Sequence, residues 1–480
     1  MRSAAGVPRP RPFALVLALA LSACAVGPNY HRPDLSAPEA FRDHAAEAES
    51  IADLPWFEIF RDEALATLVR ESLANNRDLA IAIARVEQSR YLAGVARGPL
   101  FPQAGYEGDA ARGDRTFLGG VAPGDRTNNS FLATLNFAWE IDLWGRIRRS
   151  SEAARAELYA SDAFRRGVVL SLISGVAQAY FELLELDLEL EIARSSVQSY
   201  QETLDLFSRQ HRGGVSSKLD PLRAEAALAQ AAAGIPELER RIVAKENQIS
   251  VLIGRPAGSI ARGETMLAQS TPPEIPAGVP SQLLERRPDL LEAEQILVAA
   301  NARVGETLAN YFPRIGLTAL YGSVSSDLDD LLDAGTGLWS IAGRAAGPIF
   351  TAGQTTYTWK AAQANRDAAR SAYEGSVLNA LREVSDTLTA RIKFAEERVE
   401  QERAVGALRE SLDIAKVRYL GGLSTYIEVL DAQQQLYPAE FALAQIQRDQ
   451  LIAVVDLYRA LGGGWSESPE KPSVPLPIAP

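Results

Sequence analysis

Few side chains in this 480-residue chain stand where they could do chemistry. The only cysteine, Cys24, follows Leu21-Ser22-Ala23 at the end of an apolar run that starts at Phe13, with Arg2, Arg9 and Arg11 ahead of it. A basic start and a short apolar stretch have the composition of a secretory signal, too short to be kept as a membrane helix. Small residues before a cysteine have the form of a bacterial lipobox, where the thiol is diacylated and the chain is cut just before it. A lone thiol makes no internal disulfide and, once exported, calls for a use. Acylation of Cys24 is that use; the alternative is an ordinary signal with a chance cysteine. Ala25, in place of an aspartate, fits lipoproteins sent on to the outer membrane.

Other chemistry is scarce. His31, His44 and His211 form no metal-ligand spacing with one another. No glycine loop opens a helix as a phosphate cradle does, and no nucleophile has a local base. We therefore expect no enzyme, no cofactor and no bound metal. The formal charge is −12, and loss of the three leading arginines takes it to −15. Such an acidic balance argues against nucleic acid and for solubility in the periplasm. No later stretch is expected to supply the roughly 18 apolar residues of a spanning helix, so any membrane crossing falls to strands.

The elements that must position these residues come in two copies. GGVSSKLDPLRAEAAL from Gly213 and GGLSTYIEVLDAQQQL from Gly421 align at an offset of 208, which also pairs Gly145 with Gly353 and Gly254 with Gly462. Phe101-Pro102 matches Phe312-Pro313, and Asp78-Leu79 matches Asp289-Leu290, at an offset of 211. The three-residue difference lies between Pro102 and Gly145, where strands and their loop are expected. Fixed-offset similarity of this kind marks a duplicated structural unit. Each copy reads as a helix (62–98 and 285–310), two alternating segments, a very long helix, a double-glycine turn and a return helix (218–253 and 424–459).

Phe131, Ala133, Leu135, Phe137, Trp139, Ile141 and Leu143 alternate with polar neighbours such as Thr134, Asn136, Glu140 and Asp142. Ile315, Leu317, Ala319 and Tyr321, then Trp339 and Ile341, repeat the pattern. Period-two segments of about ten residues are the weak signature of a transmembrane barrel strand, a soluble sandwich edge being the alternative. Four strands cannot close a barrel, for which about eight are needed, and lipid tolerates no open edge. Several chains must then share one barrel. Between Gly145 and Lys218, and again between Gly353 and Leu436, there is no proline. Each long helix is thus about 67 residues, near 100 Å at about 1.5 Å per residue. Leu190, Ala193, Val197, Tyr200, Leu204, Phe207 and His211, with Val405, Leu408, Leu412, Ala415 and Tyr419 in the second copy, have heptad spacing toward the return helices.

The lipobox with Gly27-Pro28-Asn29-Tyr30-His31-Arg32-Pro33, Trp56-Phe57, the run Trp139 to Arg146, Gly347-Pro348-Ile349-Phe350 and Arg418-Tyr419 through Val429-Leu430-Asp431-Ala432 together resemble the outer-membrane factors of the TolC superfamily. The lipoprotein, OprM-like or NodT-type branch is the match, and the resemblance covers nearly the whole chain. It implies a mainly α fold with a membrane β-barrel: a homotrimer whose twelve strands continue into a twelve-helix α-barrel. It implies the exit duct of a tripartite pump, fed by an inner-membrane RND pump through a periplasmic adaptor. The resemblance makes Gly213, Gly214, Val215, Ser216, Gly421, Gly422, Leu423 and Ser424 the adaptor-contact tips. Asp431 and Glu428 become the acidic ring of a closed entrance, and Tyr419 with Asp220 a closed-state latch. Each could instead lie on a plain turn or solvated helix face. Repeat one carries Arg223 and Asp220 opposite Asp431 and Glu428, and Ser424 stands where some relatives have an arginine that strengthens the latch.

The expected organisation is a signal at 1–23, a lipidated and equatorial segment at 24–61, repeat one at 62–254, a Pro-rich linker at 255–284, repeat two at 285–462 and a tail at 463–480. The alternatives are a polypeptide-secretion duct and a periplasmic coiled-coil scaffold. The exported cargo is not legible.

Overall fold

The computed structural model describes residues 25–34, 41, 62–113, 128–269, 283–333 and 335–463. Cys24, the signal, Trp56-Phe57 and the 464–480 part of the tail lie outside them. Repeat one contains α1 (Glu63–Asn75), α2 (Arg77–Arg97), β1 (Gln103–Gly113), β2 (Asn128–Ile141), α3 (Arg146–Arg212) and α4 (Leu219–Leu252). Repeat two contains α5 (Leu283–Arg286), α6 (Pro288–Ala309), β3 (Arg314–Ser325), β4 (Gly337–Ala346), α7 (Gln354–Leu420) and α8 (Tyr426–Ala460). Both long helices, α3 and α7, have 67 residues. The expected first helix is two, because Asn76 turns extended and its side chain bonds Leu79 N and Leu252 O.

The chain forms two compact units. Of the described residues, one holds 25–34, 85–113, 128–162, 292–333 and 335–374; the other holds 41, 62–84, 163–269, 283–291 and 375–463.

In the first unit the strands form one antiparallel sheet in the order β1-β2-β3-β4. The repeats meet in its middle, through Phe137↔Ala319 and Trp139↔Leu317. β1 and β4 are left as outer strands, each with one edge unpaired among the described residues. Register puts Tyr106, Leu135, Phe137, Trp139, Leu317, Tyr321, Trp339 and Ile341 on one face. All are exposed, from 37% at Trp139 to 89% at Tyr106, so none of the described residues covers this face. The opposite face carries Glu107, Thr134, Asn136, Thr318, Ser340 and Arg344, as the period-two pattern requires.

Residues 25–34 are tied down beside this sheet. Val26 N bonds Trp144 O, Asn301 bonds Pro28 O, and buried Arg149 reaches Asn29. Arg32 grips Glu294 with two bonds at 2.8 and 2.6 Å, and Tyr30 donates to the same carboxylate. The residue after Cys24 is therefore fixed where β2 ends: a Cβ on Gly145 would strike Ala25 at 2.6 Å.

In the second unit α3 packs on two return helices. It meets its own repeat's α4 through Glu182–Lys245 and Glu189–Arg241. It also meets α8 of the other repeat in an antiparallel ladder: Gln178–Asp456, Glu185–Arg448, Glu189–Gln445, Thr203–Gln433 and Phe207–Tyr426. The seam line is thus Ala193, Ser196, Tyr200, Thr203 and Phe207, all buried, whereas His211 is exposed. This corrects two expectations. Leu204 does pack against the Phe207 cluster and Val197 is half-buried, but Ser196 and Thr203 are the more deeply buried, facing inward toward Gln433, and the seam ends one turn before His211.

A third correction concerns hydropathy. An 18-residue window of α3 averages 1.6 with at most two charges, enough by composition to cross a membrane. That window is 61% buried. Leu170, Ile173, Val176, Tyr180, Phe181 and Leu183 in α3 lie inside the second unit, so packing there consumes their apolar surface.

Candidate functional site

The glycines that revealed the duplication sit where the chain changes direction. Gly214 and Gly422 have φ of +76° and +70°. At each tip the next residue closes the helix, Val215 N to Gln210 O and Leu423 N to Arg418 O, which is a Schellman closure with a left-handed glycine. The preceding Gly213 and Gly421 have ordinary φ and room for a Cβ at 3.4 Å or more. Only the second glycine of each pair is demanded by the backbone.

Both tips present the same apolar pair. Val215 (81% exposed) and Leu219 in repeat one correspond to Leu423 (75%) and Ile427 in repeat two. A Schellman turn usually packs its following apolar residue on its own helix; here these side chains are left outward. The hydroxyls of Ser216 and Ser424 are buried without a hydrogen-bond partner.

Behind the second tip, Phe207 lies edge-on to Tyr426 at 4.1 Å and Tyr419 at 5.4 Å between ring centroids. Burial pushes the Tyr426 phenol up to about 12. Tyr419 donates to Gln210 Oε1 at 2.5 Å. Its hydroxyl is therefore engaged by Gln210, on the last turn of α3, and not by Asp220. Asp220 remains close enough to help raise the phenol pKa of Tyr419, after burial as the main cause.

Asp431 and Glu428 are exposed on α8 and open into a cavity of about 470 Å³ between α7 and α8, with Ile414, Arg418 and Gln435. Glu428 faces Arg418 at 3.6 Å. Asp431 accepts from Gln435 at 2.7 Å and has no cationic partner among the described residues. Arg418 and Gln210 escaped sequence reasoning. Arg418 stood in a quoted motif one turn before the double glycine, where it could reach the first turn of α8. Gln433 was legible in principle, as the polar member of the 3-4-3 line Tyr426, Val429, Gln433, Leu436.

With this geometry in view, comparison with known proteins is decisive. Residues 68–255 and 279–463 match the family model of the outer membrane efflux protein. The chain belongs to that family. The two matched segments coincide closely with the two repeats. Similar relatives include the solvent efflux pump outer membrane protein SrpC of Pseudomonas putida, 36% identical over 95% of this chain and 98% of its own length. The cation efflux system protein CusC of Escherichia coli (strain K12) is 31% identical over 93% and 98%. Among solved structures, the outer-membrane channel OprN superposes with a TM-score of 0.85 at 31% identity, covering 92% of this chain and all of that one. The open state of the Neisseria gonorrhoeae MtrE outer membrane channel gives 0.83 at 31%, over 92% and 99%. This efflux protein accordingly resides in the outer membrane, is mostly helical, and has the fold of a channel. Its family is one of transport, not of enzymatic chemistry.

Proposed function

We propose that this protein is the exit duct of a tripartite pump, conducting small toxic compounds passively through a gated channel. One observation carries the reading: a four-stranded sheet with two outer edges unpaired and one largely apolar face uncovered among the described residues. In lipid such edges must pair, and the only complementary edges are those of further copies. β4 of one copy meets β1 of the next, and three copies give twelve strands above a twelve-helix α-barrel. Antiparallel pairing of β4 with β1 places the end of β4 beside the start of the neighbour's β1. There Ile349 and Phe350, 104% and 87% exposed, meet the neighbour's exposed Tyr91, Leu92 and Val95. Ala352 (φ +49°) and Gly353 (φ +86°) hold the chain left-handed just behind them, an arrangement that fixes their direction.

Acylated Cys24 anchors the chain in lipid beside the end of β2. Asp431 and Glu428 line the periplasmic entrance, and the Val215 and Leu423 tips receive the adaptor, which joins the duct to an RND-type pump in the inner membrane. SrpC is named for solvents and CusC for cations; the class common to them, small toxic compounds, is the cargo assigned. The test is extraction from outer membranes with detergent, followed by mass measurement and planar-bilayer recording. We expect a trimer that conducts, with Phe350→Ala lowering the temperature at which it dissociates. A monomer released by a salt wash overturns the reading.

A further inference from the structure

The polar face of the sheet has a hollow near its base. Register aligns Glu140, Gly316 and Arg344 in one row and Gln103, Ala138, Thr318 and Ala342 in the next. Arg314 pairs with Ala346 on the other side. Glycine or alanine at 138, 316, 342 and 346 leaves a depression, a cavity of about 450 Å³ whose rim includes Arg314, Arg344, Gln103 and Thr318 and whose apolar wall includes Phe101. Its size falls within the range of small-ligand sites.

The charge of this hollow is unbalanced. Arg344 and Arg314 lie at diagonal positions on adjacent strands, about 7–8 Å apart in the backbone. Arg344 has no hydrogen-bond or ion-pair partner among the described residues. Arg314 has only the neutral amide of Asn310, at 3.3 Å. The one carboxylate on the rim, Glu140, is consumed by a two-pronged pair with Arg146 at 3.1 and 2.9 Å. Arg97 lies over the Phe101 ring at 5.7 Å, which helps hold that apolar wall in place. The acids of the same face, Glu107 and Asp109, stand three or more rows away, about 20 Å along the strands, beyond a Debye length at physiological salt. Two guanidiniums over an apolar floor match a ligand with an anionic head and an aromatic or aliphatic body.

We infer that the base of the strand lumen holds a binding subsite for small amphipathic organic anions, with Arg344 and Arg314 on the anionic group and the Phe101 wall on the body. The inference rests on the duct reading, which makes this face the lumen, and it gives that duct a cargo preference. Anions crossing the lumen would pause at this subsite, while cations of the same shape would not.

The probe is 2-naphthalenesulfonate, titrated calorimetrically into the full-length, detergent-solubilised protein. We expect saturable binding, weakened about tenfold or more by Arg344→Gln and by Arg314→Gln, the loss of one charge-assisted contact each. Arg344→Lys, which keeps the charge, should retain most of the affinity and controls for misfolding. A naphthyl trimethylammonium of like size should not bind. Equal affinity in the Gln variants, or equal binding of the two probes, overturns the subsite. In planar bilayers the sulfonate should block wild-type current and fail to block Arg344→Gln. Pores that conduct but neither bind nor are blocked by the sulfonate refute the subsite and leave the duct standing. Arginine-dependent binding by a protein that forms no pores upholds the subsite and refutes the duct.

Discussion

Replacing Arg448 with Met should be among the most damaging single changes in the second unit, and its damage should depend on pH. The Glu185 side chain is 2% exposed, and its Oε2 accepts from Arg448 Nη1 at 2.8 Å. Its other oxygen is buried without a partner. Removing the arginine strands a buried carboxylate, at a cost of about 3–5 kcal/mol. For a unit of this size roughly 2 °C of melting temperature accompanies each kcal/mol, so a loss of about 6–10 °C is expected. Burial raises the Glu185 carboxyl above its ordinary range, and Arg448 opposes that rise. A raised acid stabilises the fold below its unfolded value of about 4.3 and loses that contribution as pH rises through the folded value. Without Arg448 the folded value moves further up, so protonation at mildly acidic pH relieves the stranded charge. The deficit of Arg448→Met, followed by circular dichroism of the detergent-solubilised protein, should therefore shrink between pH 7.5 and pH 5. The double variant Glu185→Leu/Arg448→Met should recover most of the stability. A deficit that is the same at both pH values, or below about 1 kcal/mol, refutes the assignment of a buried, arginine-dependent charge.

Gly422→Ala should cost about 1 kcal/mol or more by forcing a left-handed Cβ, whereas Gly421→Ala should be close to neutral; paired melting curves distinguish them. Asp431→Ala with Glu428→Ala should raise single-channel conductance and reduce cation preference in planar bilayers, and unchanged currents remove both from the entrance. Cys24→Ser should abolish incorporation of radioactive palmitate, and continued labelling of that variant would move the acylation site elsewhere.

The sequence made the plan legible because the strongest local rules coincide with the fold. Gly145, Gly214, Gly254, Gly353, Gly422 and Gly462, which disclosed the duplication, all adopt positive φ; no other residue type fills those positions cheaply, so they stand out in a lone sequence. Period-two alternation around Phe137 survived because that face of the sheet is apolar from Ala133 to Ile141 and across from them at Ile315 to Tyr321. What was not legible depended on rotation and on cross-repeat contact. Ser196, Thr203 and Gln433 are polar, so a search for apolar heptads passed over them, although they lie inside. Gln210 as partner of Tyr419 carries no spacing signal, since it comes from the opposite repeat. The latch expected between Tyr419 and Asp220 followed resemblance; in this structure the Tyr419 hydroxyl donates to Gln210 on the last turn of α3.

The unpaired edges of β1 and β4 also bear on how this protein is made. On the proposed duct reading their backbone groups find partners when copies meet, so the final gain in stability arrives in a step whose rate depends on concentration. A solitary chain would expose two ten- to eleven-residue strand edges beside an oily face, the surface that nucleates cross-strand aggregation. Escort by a periplasmic holdase, which shields the single chain until copies meet, should therefore raise the yield of assembled protein.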